Sequence, residues 1–185
     1  MLDKQGKKEA LKTAREAIQN RFDDLELRPV AQDQDLMKPG GVFVTLKLGN
    51  KLRGCIGQLS SPRPIIETIA EMAEAAAFQD DRFPPLTKQE SKKIIIEISI
   101  LSPLKKIKQP LEEIKVGKHG VWLTTKDKTR GGLFLPQVAT ENNWDLETFM
   151  DELCENKAGI DKKLWRENKL DIYTFTAEIF SEKDL

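Results

Sequence analysis

Arg53 and Cys55 lie two positions apart in a glycine-rich segment, Arg53-Gly54-Cys55-Ile56-Gly57. An extended strand places alternate side chains on one face, so Arg53 and Cys55 are predicted to lie together while Leu52 and Ile56 face the core. A nearby positive charge favours the thiolate form of a cysteine, and the thiolate is the nucleophile and the metal ligand. The spacing therefore makes Cys55 and Arg53 candidate catalytic residues.

Gly54 and Gly57 weaken a strand, and their missing side chains would let a ligand or another backbone come close. They are the candidate binding positions of a shallow, backbone-lined pocket. The residues also allow a purely structural interpretation, in which Cys55 is a small buried hydrophobe, Arg53 is a surface charge and the glycines mark a bulge or bend.

His119 is the only histidine of the chain, which excludes sites that need two or three imidazoles. His119 and Asp80 are further catalytic candidates, because no base adjoins Cys55 in sequence and only folding could bring one there. A lone histidine beside a glycine is more typical of a turn. No metal site and no cofactor are predicted, because the possible ligands show no diagnostic spacing.

Arg82 and Phe83 belong to a loop stiffened by two prolines, Gln79–Pro85. These two residues could present an anchor to a partner, or Arg82 could pair with the aspartates of its own charged turn. Glu97 lies opposite the isoleucines of a predicted strand and could act as a general acid or base if it is half-buried. A solvent-facing sheet explains Glu97 equally well.

The chain has 30 basic and 30 acidic residues, so no overall field draws it to nucleic acid or to an anionic membrane. The lysine clusters at 105–108 and 126–130 are interpreted as solvated turns. The longest apolar run, Ile94–Leu101, is too short to span a bilayer, and Cys55 and Cys154 form no C-x-x-C pair. We therefore expect a cytoplasmic protein with no membrane partner, and nucleic-acid binding is disfavoured although a local basic patch stays open.

The apolar periodicity of the first half predicts a helix over Lys7–Asn20, a hairpin of Val42–Leu48 and Lys51–Gly57, and a helix from Ile65 to Phe78. Thr87 and Glu90 form a capping-box pattern for a short helical turn. Ile94, Ile96, Ile98 and Ile100 alternate on one face of a central strand.

In the second half, a loop is predicted between Pro103 and Pro110, followed by strands over Lys115–Leu123 and Gly132–Leu135. Asp145 is predicted to cap a helix with Cys154 in its apolar stripe, and alternation from Tyr173 to Ile179 predicts one C-terminal strand. Hairpins mixed with single helices favour an α+β fold with a largely antiparallel or mixed sheet and flanking helices.

The segment Leu52-Arg53-Gly54-Cys55-Ile56-Gly57 is similar to the six-residue signature LRGCIG of the AMMECR domain family. Further segments resemble the family in the same order along the chain: Gly41–Leu46, Ala76–Phe83, Gly117–Gly120, Leu133–Val138, Trp144-Asp145 and Lys157–Gly159. They cover nearly the whole chain, which makes the resemblance far more specific than one short motif. One departure is Asp81, where the family usually has proline.

The resemblance implies a single AMMECR-like domain over residues 1–185, with two lobes and the signature near a groove between them. It implies no settled activity. Prokaryotic members are often encoded with, or fused to, a Memo-like redox domain and a radical SAM enzyme, which implies a shared pathway and makes these two proteins the expected partners. The resemblance also strengthens Arg53 and Cys55 as functional residues.

Three hypotheses follow for the function. The first is a component of a small-molecule or protein-modification pathway, in which Arg53 binds an anionic group and Cys55 acts as a thiolate. The second is a non-catalytic module that docks onto a partner, in which Cys55 is merely small. The third, nucleic-acid binding, is disfavoured by the balanced charge and the few aromatic residues.

Overall fold

A computed structural model describes all 185 residues and divides them into two compact units. The first unit comprises Met1–Leu101 and Glu178–Leu185, and the second comprises Ser102–Ala177. Each unit holds a four-stranded sheet and several helices, so the predicted α+β class is confirmed. No helix combines the length and the apolar composition that crossing a membrane requires.

The first unit is built from three helices and four strands. The helices are α1 (Lys4–Phe22), α2 (Ile65–Phe78) and α3 (Lys88–Ser91), and the strands are β1 (Val42–Leu48), β2 (Lys51–Gln58), β3 (Ile94–Leu101) and β8 (Ala177–Ser181). The strand order in the sheet is β2-β1-β3-β8, and β1 pairs antiparallel with both β2 and β3. Strand β2 therefore forms one edge of this sheet.

The core of the first unit lies between one face of this sheet and the helices α1 and α2. Alternate residues of β1 and β3, such as Val44 and Ile96, are fully buried in it. Alanines of both helices that belong to this core, such as Ala14 and Ala73, have no exposed surface. Small side chains let the helix backbones approach each other closely, and this brings α2 against the sheet.

The second unit contains the remaining elements. The strands are β4 (Lys105–Ile107), β5 (Gly120–Thr125), β6 (Gly131–Phe134) and β7 (Leu170–Phe175), in the order β4-β7-β5-β6. The helices are α4 (Pro110–Glu113), α5 (Pro136–Glu141), α6 (Leu146–Glu152), which continues into a π-helical segment Leu153–Lys157, and α7 (Lys163–Arg166). Buried residues of β5 and β7, including Leu123 and Ile172, pack with Phe149, Cys154 and Trp165.

Several predicted elements are confirmed, and the capping box is one of them. Thr87 accepts from the N–H of Glu90, and the Glu90 carboxylate accepts in return from the N–H of Thr87. Asp145 caps α6, and Cys154 is fully buried as predicted. The hairpin and the helix ending at Phe78 also have the predicted positions.

Three predictions are wrong. The strand predicted over Lys115–Leu123 begins only at Gly120, because Lys115–His119 form a turn in which the His119 N–H donates to the Lys115 carbonyl. The expected single C-terminal strand is two strands, because the chain leaves the second sheet after Phe175 and enters the first sheet at Ala177. Between them, the N–H of Thr176 donates to Ser102 Oγ. The expected loop from Pro103 to Pro110 contains β4, which pairs with β7. Alternation along one segment does not reveal which strand that segment pairs with.

Candidate functional site

The signature strand β2 contains a β-bulge at Arg53. Leu46 of β1 pairs with Gly54, and the next residue, Lys47, pairs with Leu52, so Arg53 is the extra residue. The bulge shifts the alternation by one position, and Leu52 is 43% exposed on the outer face of the sheet. The prediction that Leu52 faces the core is therefore wrong, whereas Ile56 packs against the core as expected.

The Arg53 guanidinium is buried and forms two parallel bonds with the Glu90 carboxylate. Its Nε lies 2.9 Å from Glu90 Oε1 and its Nη2 lies 3.1 Å from Oε2, and Nη2 also donates to the carbonyl of Pro84 at 3.0 Å. The bond from Arg53 is the largest of the effects that lower the pKa of Glu90 to about 2. Arg53 thus joins the edge strand to the start of α3, and it is not the surface charge of the structural interpretation.

Asp80 and Arg82 bind the backbone of Cys55 at the free edge of β2. The Cys55 N–H donates to Asp80 Oδ2 at 2.8 Å, and Arg82 Nη2 donates to the Cys55 carbonyl at 3.1 Å. Arg82 also donates to both oxygens of Asp80, at 2.8 and 2.7 Å. We call these two side chains the edge clamp. They bind the N–H and C=O groups of Cys55, which would otherwise be free to pair with a further strand.

The Asp80 carboxylate is 2% exposed, and its charge is balanced within the clamp. The bonds from Arg82 lower the pKa of Asp80 to about 2, and the N–H of Cys55 acts in the same direction against the effect of burial. Phe83 lies between the two arginines, with its ring centroid 5.9 Å from the Arg53 guanidinium carbon and 5.6 Å from that of Arg82. The loop after α2 and the signature strand therefore form one connected structure.

The two signature glycines lie where a side chain would collide with the protein itself. A Cβ on Gly54 would overlap the backbone carbonyl of Ala76 in α2, and a Cβ on Gly57 would overlap the ring of Phe43 on the neighbouring strand. Helix α2 can approach β2 this closely only because position 54 has no side chain. The missing side chain of Gly54 therefore makes room for the backbone of α2. The sequence had allowed either a ligand or another backbone at this position.

Cys55 is half-buried on the outer face of the sheet, with its Sγ 3.2 Å from Thr45 Oγ1 on β1. Burial raises the pKa of the Cys55 thiol, and the negative charges of Asp80 and Glu97 act in the same direction. The bond with Thr45 and the charge of Arg82 oppose this shift without reversing it. The Arg53 guanidinium, which was predicted to favour the Cys55 thiolate, is instead bound to the Glu90 carboxylate, so its charge is already paired.

The outer face of the first sheet carries a row of polar side chains around this thiol. Thr45 lies directly between Cys55 on one side and Glu97 on the other. Lys47 Nζ donates to Glu97 Oε2 at 2.8 Å, and Lys47 and Glu97 also line a cavity of about 280 Å³ with Ile95 and Ser181. Sequence reasoning did not select Thr45 or Lys47, although their alternation on β1 already places both opposite the core residues.

His119 lies in the second unit, at the turn before β5. Its Nδ1 accepts from the N–H of Lys115 at 3.2 Å, and Gly117 in the same turn has a φ of +78°. Burial lowers the pKa of His119. These contacts are those of a turn residue. The structure brings together no group of three or more His, Cys, Asp or Glu side chains that could hold a metal ion.

Comparison with known proteins agrees with the signature. The AMMECR1 family model matches residues 11–180. A protein of Aquifex aeolicus is 36% identical over 184 residues, covering 96% of this chain and 93% of the relative. A protein of Methanococcus aeolicus is 43% identical over 152 residues, covering 78% of this chain and 75% of the relative.

A solved structure also resembles the chain along almost its whole length. The crystal structure of the uncharacterized protein PH0010 from Pyrococcus horikoshii superposes with a TM-score of 0.87 at 36% sequence identity. The match covers 98% of this chain and 93% of PH0010. With the signature intact and the fold shared, the chain belongs to the AMMECR1 family.

Proposed function

We propose that this protein is a non-catalytic binding module whose recognition surface is the outer face of the first sheet around Cys55, Thr45 and Glu97. The observation behind the proposal is that the charged side chains in and beside the signature bind other groups of the protein itself. Arg53 binds Glu90 and a backbone carbonyl, and the edge clamp binds the backbone of Cys55. Charged groups that are engaged in internal contacts of this kind hold a surface in shape, which supports a structural role for them.

The state of Cys55 supports the same proposal. A cysteine nucleophile needs a lowered pKa or an adjacent base, and the pKa of this thiol is raised. Its hydrogen-bonding neighbour is the hydroxyl of Thr45, which is not a base at neutral pH. The competing function is a pathway component in which Cys55 reacts as a thiolate. That function requires the pKa of the Cys55 thiol to be lowered.

This surface presents two uncharged polar groups next to an ion pair, and a partner could bind both. Thr45 and Cys55 present a hydroxyl and a thiol, and the Lys47–Glu97 ion pair lies beside them with side chains 35% and 20% exposed. Mixed polar groups of this kind fix the register of a protein partner through hydrogen bonds. The partners we propose are the Memo-like protein and the radical SAM enzyme to which the family resemblance points.

The first test is the pH dependence of alkylation at Cys55 in the folded protein. A binding module predicts slow alkylation below about pH 8.5, the ordinary range of a thiol, and faster alkylation only above it. Cys154 is the internal control, because it is fully buried and burial raises its pKa to about 12. Rapid alkylation of Cys55 that persists well below neutral pH would reject the proposal and support a catalytic thiolate.

The second test is co-purification with the two proposed partners. Thr45→Arg places a long charged side chain in the centre of the surface and is expected to abolish capture, whereas Cys55→Ser is expected to retain it. Glu97→Gln is the gentler variant, because it keeps the side-chain volume and removes the ion pair with Lys47. Gln89→Arg, at an exposed position of α3, is the matched charge control. Unchanged capture by Thr45→Arg in a folded protein would show that this face is not the recognition surface.

A further inference from the structure

The second sheet carries an aromatic and basic row on the face opposite its core. Leu123 and Ile172 point into the core, so their strand neighbours Trp122 and Tyr173 lie on the other face. Across the strands, Lys106 pairs with Tyr173, Tyr173 with Trp122, and Trp122 with Leu133. The pairing register therefore places one cation, two aromatic rings and one aliphatic side chain side by side.

The contacts within this row are close. The rings of Trp122 and Tyr173 are stacked with centroids 4.8 Å apart, and Lys106 Nζ lies 5.8 Å from the Tyr173 centroid. Lys106 and Lys126 share the carboxylate of Asp171, with Nζ to Oδ1 distances of 3.0 and 2.5 Å. The two lysine side chains are 55% and 60% exposed, and the aspartate is 13% exposed. Two cations on one carboxylate leave a net positive charge beside the aromatic pair.

The charges of the second unit are also separated along its sequence. Residues 102–130, which form β4, α4, β5 and their loops, contain eight basic and three acidic residues. Residues 141–167, which form the helices over the core, contain four basic and eight acidic residues. The net charge of the whole chain is zero, but residues 102–130 are positive and residues 141–167, the negative helical half, are negative. The positive field around the first of these segments attracts anions.

We propose that this face of the second sheet binds a single strand of nucleic acid. A base of the strand would extend the Trp122–Tyr173 stack, and the neighbouring phosphates would lie near Lys106 and Lys126. Stacking on aromatic side chains beside basic residues is how strand-binding proteins hold nucleic acid without reading its sequence. The proposal revises the expectation drawn from the total charge, and it is independent of the function proposed for the first sheet.

Fluorescence anisotropy of a labelled oligouridine of about ten nucleotides, titrated with the full-length protein, tests the proposal. Binding should weaken as salt increases, because phosphate contacts release counterions. Trp122→Leu should weaken binding about tenfold or more through loss of stacking. The double variant Lys106→Ala/Lys126→Ala should also weaken it and should reduce the salt slope by about 1 to 2.

The matched control is Lys162→Ala/Lys163→Ala, which removes two lysines from the negative helical half and should leave the affinity unchanged. Circular dichroism of each variant shows whether the fold is retained. Lys106→Gln is the milder charge variant if the double substitution unfolds the protein. Absence of binding at low salt, equal losses in variant and control, or equally tight binding of free uridine monophosphate would each overturn the proposal.

Discussion

The two units use the same chemical groups, carboxylates paired with cations, in different ways. In the first unit, Asp80 is 2% exposed and Arg53 is 9% exposed, and both bind backbone groups of neighbouring segments. In the second unit, Asp171 holds two lysines that are more than half exposed. The charged residues in and beside the signature therefore fix the backbone, whereas those of the second sheet keep charge accessible on the surface.

Arg53→Ala tests the buried half of this comparison and should have the largest effect. The substitution leaves the Glu90 carboxylate without its partner and removes the bond to the Pro84 carbonyl. Hydrogen bonds to charged groups typically contribute about 1.5 to 3 kcal/mol, and because the Glu90 side chain is 30% exposed we expect a loss of about 3 kcal/mol in the free energy of unfolding. Urea denaturation followed by circular dichroism measures it.

Arg28→Ala is the matched control for this experiment. Arg28 pairs with Glu26, but the two side chains are 85% and 78% exposed. Exposed ion pairs contribute little, so this variant should unfold close to the natural midpoint. Equal losses of unfolding free energy in Arg53→Ala and Arg28→Ala would show that the buried pair contributes no more than an exposed one.

The acid stability of the edge clamp should show the next largest effect. The pKa of Asp80 is lowered from its ordinary 3.8 to about 2, so its contribution is fully present above the ordinary value and is lost as the pH falls towards 2. A shift of this size corresponds to about 2 kcal/mol. We expect the free energy of unfolding to fall between about pH 5 and pH 2, with Glu90 acting in the same direction.

Asp80→Asn should be less stable at neutral pH and should depend less on pH over this interval. Asp24→Asn changes a fully exposed carboxylate and should keep the steep dependence of the natural protein. If Asp80→Asn retains the full acid dependence, the clamp is not the source of the acid sensitivity.

Asp171→Asn tests the exposed half of the comparison and should have the smallest effect on stability. Its carboxylate pairs with two lysines on an open face, and such pairs add little to folding. The urea midpoint should stay close to that of the natural protein, while oligouridine binding should tighten because a negative charge leaves the lysine cluster. Weaker binding in this variant would indicate that Asp171 itself contacts the strand.

Local signals in the sequence predicted the local structure well. The two-residue turn fixed the hairpin, the apolar stripe ending at Phe78 fixed α2, and the capping box fixed α3. The structural interpretation allowed a bulge at the signature glycines, but its position at Arg53 was not predicted, because a bulge is a relation between two strands and leaves no period in one of them. The signature hexapeptide is recognisable as a unit from its residues alone.

The roles of individual site residues were harder to predict. The alternation of β2 placed Arg53 beside Cys55, but the partner of Arg53 lies 37 residues away at Glu90. Asp80 was a further catalytic candidate, and its contact with the Cys55 N–H depends on β2 being an edge strand. Strand order is set by the whole fold, so these contacts could not be read from local spacing.

The switch of the chain from β7 to β8 has a consequence for biosynthesis. The first unit needs Phe180 in its core, and it needs Glu182, which accepts from Arg15 and from the N–H of Ile96. These residues leave the ribosome only after all of Ser102–Ala177 has been made. Although its first 101 residues are synthesised early, the amino-terminal unit completes its sheet last, and during that interval β3 is an unpaired edge that a nascent chain must protect from aggregation.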